Sequence, residues 1–225
     1  MTWLARASID YETVARLRIQ DCYDWHQRAW EMFPGRPKGH PRTFLFRVME
    51  KDEGVDFWLM CREEPARPDW VTGENWKVSL VAESFPFHRR YRFDLVANPT
   101  QRDESRDRWQ GRERTRGKHR RFNLTDVKEQ RNWLVNKGGK HGFTLMKQEV
   151  EDEEGGIREE LILEMDPRRD FRFTRKDKSN GLHVGVRYRG YLEVTDRHTF
   201  AETFKQGIGP AKSFGFGLLL LTPVI

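Results

Sequence analysis

Cysteine is scarce in this chain, and no long apolar run occurs in it. Only Cys22 and Cys61 are present among 225 residues, which argues against a disulfide framework and is typical of a reducing compartment. Neither belongs to a Cys-x-x-Cys pair, so we expect no structural zinc site. No apolar run approaches the roughly 20 residues of a membrane-spanning helix, and residues 1–9 lack the apolar core of a signal peptide. The sequence therefore predicts a cytoplasmic protein with no membrane partner.

Basic residues outnumber acidic ones by 41 to 35, which gives a formal net charge of +6 and a pI of about 9.4. An excess of this sign fits a polyanionic partner, but it is modest, and the distribution of the charges must decide. The apolar fraction is low, yet eight Trp and 15 Phe supply enough bulk for two small cores. A chain of this length predicts one large or two small domains.

The order of the predicted elements repeats once along the chain. Alternating apolar residues predict strands, and apolar residues three and four apart predict helices. The predicted strands span 2–9, 42–50, 55–62, 76–82, 91–97, 143–150, 157–165, 182–195 and 214–222. The predicted helices span 22–33 with Asp21 as N-cap, 125–137 with Thr125 as N-cap, and 198–206.

This order predicts an α+β fold of two tandem ferredoxin-like βαββαβ domains with antiparallel sheets. The first domain is expected to span 1–88, with its second helix short or replaced, and the second to span 89–225. Within the second, residues 101–121 carry nine Lys/Arg against four Asp/Glu and few apolar residues. Such a composition predicts a solvated loop that needs no partner.

The predicted helix 22–33 carries a candidate acid–base residue. Tyr23, His26 and Trp30 lie three and four residues apart, so they share a half-exposed side of the helix. Histidine transfers protons near neutral pH, and a tyrosine one turn away can position a hydroxyl. A lone histidine beside aromatic residues is more often a packed residue, so the residue types alone favour packing and leave catalysis open.

Four glycines and a proline fall within residues 207–217, just before the last predicted strand. A glycine-rich loop with exposed N–H groups, together with Lys212 and Ser213, can hold an anion such as phosphate. The pattern is neither a P-loop nor a dinucleotide-binding motif, because it precedes a strand and no Gly-Lys-Ser/Thr leads into a helix. An ordinary glycine-rich turn explains the spacing equally well.

Residues 200–223 (FAETFKQGIGPAKSFGFGLLLLTP) resemble the C-terminal glycine-rich loop of the RAMP superfamily, whose domains are RRM-like. The resemblance is closest to the CasE family, the CRISPR RNA-processing endoribonucleases of the type I-E Cascade complex. Three further stretches match this family in the expected order: 21–26 with 33–37, 91–99, and 190–192 with 195–196. Together the matches cover nearly the whole chain.

The resemblance implies a metal-independent endoribonuclease that needs no cofactor. It would cut precursor CRISPR RNA at the 3′ base of the repeat stem-loop, by 2′-OH attack, giving a 2′,3′-cyclic (or 3′-) phosphate and a 5′-hydroxyl. His26 falls on the family's general acid/base and Tyr23 on its assistant. The implied partners are the repeat RNA, the mature crRNA and other Cascade subunits. A non-catalytic RNA-binding module of a CRISPR effector complex is the alternative.

The resemblance also implies two RNA-binding segments. One is a basic hairpin over 168–178, which has six basic residues against two acidic ones; a duplex stem is recognised largely through its shape and phosphates. The other is the glycine loop. The candidate RNA-binding residues are Arg168, Arg169, Arg172, Arg175, Lys176, Lys178, Gly207, Gly209, Lys212, Ser213, Gly215 and Gly217. Without the resemblance, an ordinary charged hairpin would be the preferred interpretation of 168–178.

Overall fold

The computed structural model describes residues 1–37, 39–102, 121–152, 155–174 and 180–224. They form two antiparallel sheets of four and six strands, helices that cover them, and two short two-stranded ribbons. No helix among these residues is long and apolar enough to cross a membrane. Most of the predicted loop 101–121 lies outside the described residues.

The first sheet has the strand order of a ferredoxin-like domain, β2-β3-β1-β4. Its strands are β1 (Thr2–Asp10), β2 (Phe44–Lys51), β3 (Gly54–Cys61) and β4 (Trp76–Val81). Helices α1 (Tyr11–Arg16) and α2 (Cys22–Trp30) connect β1 to β2. The α2 residues Trp25 and Ala29 pack on Phe57 and Leu59 of the sheet. Turns over 62–75 replace the second helix, as predicted.

The second sheet repeats that order, with insertions, as β11-β13-β5-β14; β8 and β12 also pair with β13. Its strands are β5 (Arg90–Ala97), β8 (Phe143–Leu145), β11 (Leu163–Met165), β12 (Arg169–Thr174), β13 (Asn180–Val194) and β14 (Leu219–Pro223). The helices are α3 (Val127–Lys140) and α4 (Arg197–Gln206). The short ribbons are β6 (Thr100–Arg102) with β7 (Arg121–Asn123), and β9 (Lys147–Glu151) with β10 (Ile157–Leu161). The predicted α+β class with two ferredoxin-like, antiparallel units is confirmed.

Several predicted boundaries are wrong, each for a local reason. Helix α3 begins after Asp126, whose side chain accepts from the Glu129 N–H, so Thr125 is not its N-cap. The predicted strands 143–150 and 157–165 each split in two, because Met146 and Ile162 leave their ribbons to bond with each other. The last strand begins at residue 219, since Gly215 and Gly217 have positive φ angles and cannot continue an extended strand.

The two sheets are joined by a buried ion-pair network. Arg47 of β2 has only 2% of its side chain exposed, and its guanidinium lies 2.8 Å from the Asp94 carboxylate on β5. Arg187 of β13 binds the same carboxylate through two hydrogen bonds of 3.1 and 2.6 Å. Burial alone would raise the pKa of Asp94, but the Arg187 hydrogen bonds and the Arg47 charge outweigh it and lower that pKa. The predicted boundary after residue 88 falls in the link between β4 and β5 and stays a prediction.

This network predicts that Asp94→Ala destabilises the fold strongly. Arg47 would keep its buried charge without a carboxylate, which costs about 3 kcal/mol. Urea unfolding followed by circular dichroism measures the loss. The matched control is Glu193→Ala on β13, whose pair with Arg89 is largely solvent-exposed and should cost far less. Equal losses for the two variants would contradict the proposed role of Asp94.

Candidate functional site

Helix α2 is fixed at its N-terminus by a capping box. The Asp21 carboxylate accepts from the N–H groups of Tyr23 and Asp24 at 2.7 and 3.1 Å, and the Asp24 carboxylate accepts in return from the Asp21 N–H. The predicted N-cap is confirmed, although the helix ends at Trp30 rather than at residue 33. With Trp25 and Ala29 turned into the core, the neighbouring shoulder carries Tyr23 and His26, both partly exposed.

His26 lies in an aromatic setting with its two ring nitrogens in different states. The Trp30 indole N–H donates to His26 Nε2 at 3.2 Å. The neutral ring therefore carries its proton on Nδ1, which is buried and has no hydrogen-bond partner within the described chain. The rings of Phe44 and Phe46 lie 6.1 and 6.2 Å from the imidazole. Such an arrangement holds the ring in one orientation.

Burial lowers the pKa of His26 to about 4, with a smaller contribution from the positive charge of Arg42. A histidine with this pKa is uncharged at neutral pH and can accept a proton. The side chain is therefore uncharged at neutral pH. Tyr23, one turn earlier on the same side of α2, makes no hydrogen bond through its hydroxyl within the described residues, so that hydroxyl is available to a ligand.

The glycine loop, residues 207–217, is closed by its own main chain. Ile208 N–H donates to Gly217 C=O at 2.9 Å, and Gly217 N–H donates to Val96 C=O at 2.7 Å. Gly207 and Gly217 are buried and have φ angles of 72° and 88°. A Cβ on Gly207 would lie 2.5 Å from Gly217 O.

The Gly207 N–H donates to Thr203 C=O, and the Gly217 N–H donates to Val96 C=O, so both N–H groups are already bonded within the protein. These two glycines close the loop and offer no donor to an anion. The partly exposed part of the loop contains Gly209, Lys212, Ser213 and Gly215. The predicted anion cradle is therefore limited to the middle of the loop.

The glycine loop packs beside α2 and is bonded to Arg42, the cation whose charge acts on His26. Its short 3₁₀ turn, Lys212–Phe214, packs against α2. Arg42 Nη1 donates to Lys212 C=O at 3.0 Å and to Phe44 C=O at 2.7 Å. Burial lowers the pKa of Lys212, as do the nearby charges of Arg42 and Lys137. Arg42 therefore connects His26 to Lys212, although the three residues are far apart in sequence.

Sequence analysis missed Arg42, whose only signal is a basic loop before β2. The sequence pattern also did not predict the direct hydrogen bond between Trp30 and the His26 ring. Of the other histidines, His141 bonds Thr203 Oγ1 at 2.9 Å, a packing role within the second domain. No three His, Cys, Asp or Glu side chains in the described residues could hold a metal ion together.

The basic hairpin has one packed and one open side. Phe173 of β12 is buried, and its ring lies 4.4 Å from Phe214 of the glycine loop. Arg168, Arg169 and Arg172 are exposed. Arg175, Lys176 and Lys178 lie outside the described residues. The predicted alternation between packed aromatic and exposed basic side chains is present.

The hairpin also touches the first domain. Thr174 N–H donates to the Asp21 carboxylate at 3.1 Å, and Arg169 pairs with Glu50 of β2 at 2.8 Å. A cleft of about 410 Å³ opens between the hairpin and β2, with Cys22, Phe46 and Arg47 in its lining. His26 and Tyr23 do not line this cleft, so the candidate acid–base site lies on the other shoulder of α2.

Comparisons with known proteins identify the family. The model of the family described as "CRISPR associated protein" matches residues 2–223. The Cascade subunit CasE of Escherichia coli K12 is 29% identical over 94% of this chain and 96% of its own length. The CRISPR-associated endoribonuclease Cse3 of Thermus thermophilus is 27% identical over 98% of this chain and 100% of its own length.

Structural comparison agrees with this match. The solved structure of CRISPR endoribonuclease Cse3 bound to a 19-nucleotide RNA superposes with a TM-score of 0.73, at 22% identity, over 98% of this chain and 100% of that one. It shares the two-domain fold described above. With the family model matching almost end to end, the chain belongs to the CasE family of CRISPR-associated proteins.

Proposed function

We propose that this protein is an endoribonuclease that cuts precursor CRISPR RNA within its repeat and stays with the product in Cascade. Membership of the CasE family supports this function, and one of its relatives is named as an endoribonuclease and another as a Cascade subunit. The observation that carries it is structural: His26 on α2 is neutral and lies near the charge of Arg42, whose guanidinium donates to the glycine loop at Lys212 C=O. A cytoplasmic location, a first domain over 1–88 and a second over 89–225 belong to the same proposal.

RNA supplies its own nucleophile, so the protein needs only to move protons and stabilise charge. In the proposed step the 2′-OH donates its proton to His26, and the resulting oxyanion attacks the adjacent phosphorus. The bond to the 5′-oxygen breaks, that oxygen takes up a proton, and a 2′,3′-cyclic phosphate and a 5′-hydroxyl remain. We assign stabilisation of the added negative charge on the phosphorane to Arg42 and Lys212, and positioning of the attacking hydroxyl to Tyr23.

The hydrogen bond between the Trp30 indole and His26 must break for this step to occur. In the RNA-free protein the lone pair of His26 Nε2 accepts the indole N–H. The 2′-OH has to replace the indole as hydrogen-bond donor, a small movement of the kind expected when a substrate completes a site. A phosphate near the ring also raises its pKa, because a negative charge favours the imidazolium. His26 can then return its proton to the leaving oxygen.

We assign the stem of the repeat to the basic hairpin, through Arg168, Arg169, Arg172, Arg175, Lys176 and Lys178, and the scissile strand to the glycine loop. Within that loop Gly209, Lys212, Ser213 and Gly215 are the contacts we retain. A cut beside the stem leaves the contacts to the stem intact. The protein therefore keeps its product, which agrees with a place in Cascade.

A non-catalytic RNA-binding module is the second candidate function. The half-buried imidazole, held by Trp30 and surrounded by Phe44 and Phe46, is the observation that favours it. Both candidates bind the repeat RNA, and only one cuts it. Intact RNA after long incubation with the wild-type protein would favour the binding module.

We expect His26→Ala to slow cleavage of labelled repeat RNA by about 100- to 10,000-fold, because the proton acceptor is lost. Affinity for the stem-loop should change only a few-fold, since the hairpin is untouched. Gln27→Ala, an exposed change on the same helix, is the control and should cut normally. Wild-type cleavage by His26→Ala would refute the assignment.

The wild-type protein should cut equally well in EDTA, because the nucleophile and the proposed charge stabilisation come from RNA and protein. An RNA with a 2′-deoxy nucleotide at the scissile position should bind and remain uncut. Cleavage of the deoxy RNA, or a strict need for added magnesium, would rule out the proposed mechanism.

The histidine should titrate at an unusually low pH. We expect the His26 imidazole to remain neutral at pH 7 and to take up its proton only as the pH falls toward about 4. Trp30→Phe removes the donor to the neutral form and so raises the pKa. Nitrogen chemical shifts of the ring report both the midpoint and the protonated nitrogen. A midpoint near the ordinary value of about 6.5 in the free protein would contradict the structure.

Arg168→Gln with Arg172→Gln should weaken binding of the stem-loop and reduce its salt dependence. Each lost phosphate contact lowers the slope of log affinity against log salt by about one. Binding of uncut deoxy RNA at several salt concentrations measures the slope. An unchanged slope would remove the hairpin from the RNA interface.

A further inference from the structure

We propose that Arg42, Lys212, Lys137 and Lys140 form a binding track for the single strand on the 3′ side of the scissile phosphate. We call these four residues the cation track. The inference rests on the proposed function, and it adds a second RNA segment to the stem that the hairpin holds. It assigns a role to the C-terminal end of α3, which the sequence analysis left without one.

The glycine loop gives these groups a linear order. At one end, Phe214 and Phe216 pack against Phe173 and Phe171 of the basic hairpin, with ring centroids 4.4 and 5.1 Å apart. In the middle, Lys212 is tied to Arg42 beside α2. At the other end, Gly209 lies against α3. A Cβ on Gly209 would be 3.1 Å from the ring of Trp133.

Lys137 continues the order beyond the loop. Its ammonium lies 5.6 Å from the centre of the Trp133 ring, on which Gly209 rests. Lys140 follows three residues later, on the same side of the helix. Passing along the loop from the hairpin, the order is therefore the hairpin arginines, then Arg42 near His26, then Lys212, then Lys137 and Lys140.

The cation track is positively charged along its length. Burial and the charges of Lys140, Arg121 and Arg102 lower the pKa of Lys137, and Arg42 and Lys137 act in the same direction on Lys212. Within the described residues no carboxylate pairs with Arg42, Lys137, Lys140 or Lys212. Lysines at the C-terminus of a helix also interact favourably with the helix dipole. This interaction explains the positions of Lys137 and Lys140, but not those of Arg42 and Lys212.

Like charges that are held together without counter-charges favour a polyanion. A phosphate backbone fits because its charges repeat along a line. If the stem lies on the hairpin and its 3′ base reaches His26, the chain beyond the cut must continue away from the hairpin. The cation track begins at that point. A strand leaving the duplex is single-stranded, and basic grooves bind such strands mainly through their phosphates.

The test compares binding of three deoxy-blocked RNAs: the stem-loop alone, the stem-loop with about eight extra nucleotides at its 3′ end, and the stem-loop with the same number at its 5′ end. In the wild-type protein the 3′ extension should tighten binding about tenfold at low salt. The 5′ extension should add less. Lys137→Gln with Lys140→Gln should abolish the gain from the 3′ extension and leave affinity for the stem-loop alone unchanged.

The matched control is Lys128→Gln with Arg131→Gln, which removes the same charge from exposed positions nearer the start of α3. It should keep the full gain from the 3′ extension. A gain that survives in the Lys137/Lys140 variant, or an equal gain from both extensions, would overturn the proposal. So would a loss of affinity for the stem-loop alone.

Failure of the proposed function gives a different result. Wild-type protein that leaves ribose repeat RNA intact would refute the endoribonuclease, whereas the deoxy RNAs test the cation track without any cleavage. If the variant with Arg168→Gln and Arg172→Gln loses affinity for all three RNAs by the same factor, the basic hairpin and the cation track bind RNA independently. If it instead removes only the gain from the 3′ extension, the assignment of flank and stem to the two surfaces is wrong.

Discussion

A single pair of main-chain hydrogen bonds holds the candidate site together. Ile208 N–H to Gly217 C=O closes the glycine loop, and Gly217 N–H to Val96 C=O ties it to the central strand of the second sheet. A side chain on Gly217 would place a Cβ 2.6 Å from Ile208 O, so the closure requires glycine there. The Arg42 side chain of the first domain donates to Lys212 C=O of this fixed loop, and the turn Lys212–Phe214 packs against α2. The loop backbone therefore supplies the fixed point to which Arg42 is bonded.

Burial of His26 weakens the imidazole as a base but keeps the ring fixed and uncharged. Removing the ring from water lowers its pKa to about 4, which makes it a weaker base than an exposed histidine. The same environment fixes the ring through Trp30 and keeps it uncharged, so it does not repel Arg42 or compete with it for a phosphate. An RNA phosphate would offset the effect of both burial and Arg42. In the proposed mechanism, the basicity of the imidazole therefore rises when the RNA binds.

Patterns over a few residues of sequence predicted those features of the site that depend on neighbouring residues. The Asp21 cap, the shared side of Tyr23 and His26, and the glycine loop follow from spacings of a few residues, and the structure has all three. The contribution of Arg42 depends on a bond to Lys212, 170 residues away, which no periodicity reports. Thr125 and Asp126 are both good caps, and only the geometry of α3 selects Asp126. Features that depend only on helix geometry could be predicted from the sequence, and contacts between the two domains could not.

Under the proposed assignments, the order of groups along the glycine loop gives a reason for the position of the cut. Contacts on the hairpin side of His26 would hold the RNA that stays, and contacts on the α3 side would hold the RNA that leaves. Before cleavage the two sets act on one molecule, so they position the scissile phosphate jointly. After cleavage they act on separate molecules, so the cation track alone holds the RNA beyond the cut, without the benefit of its link to the stem. The bond that is broken is the link between the two surfaces, and its loss favours release of the flank while the stem remains bound.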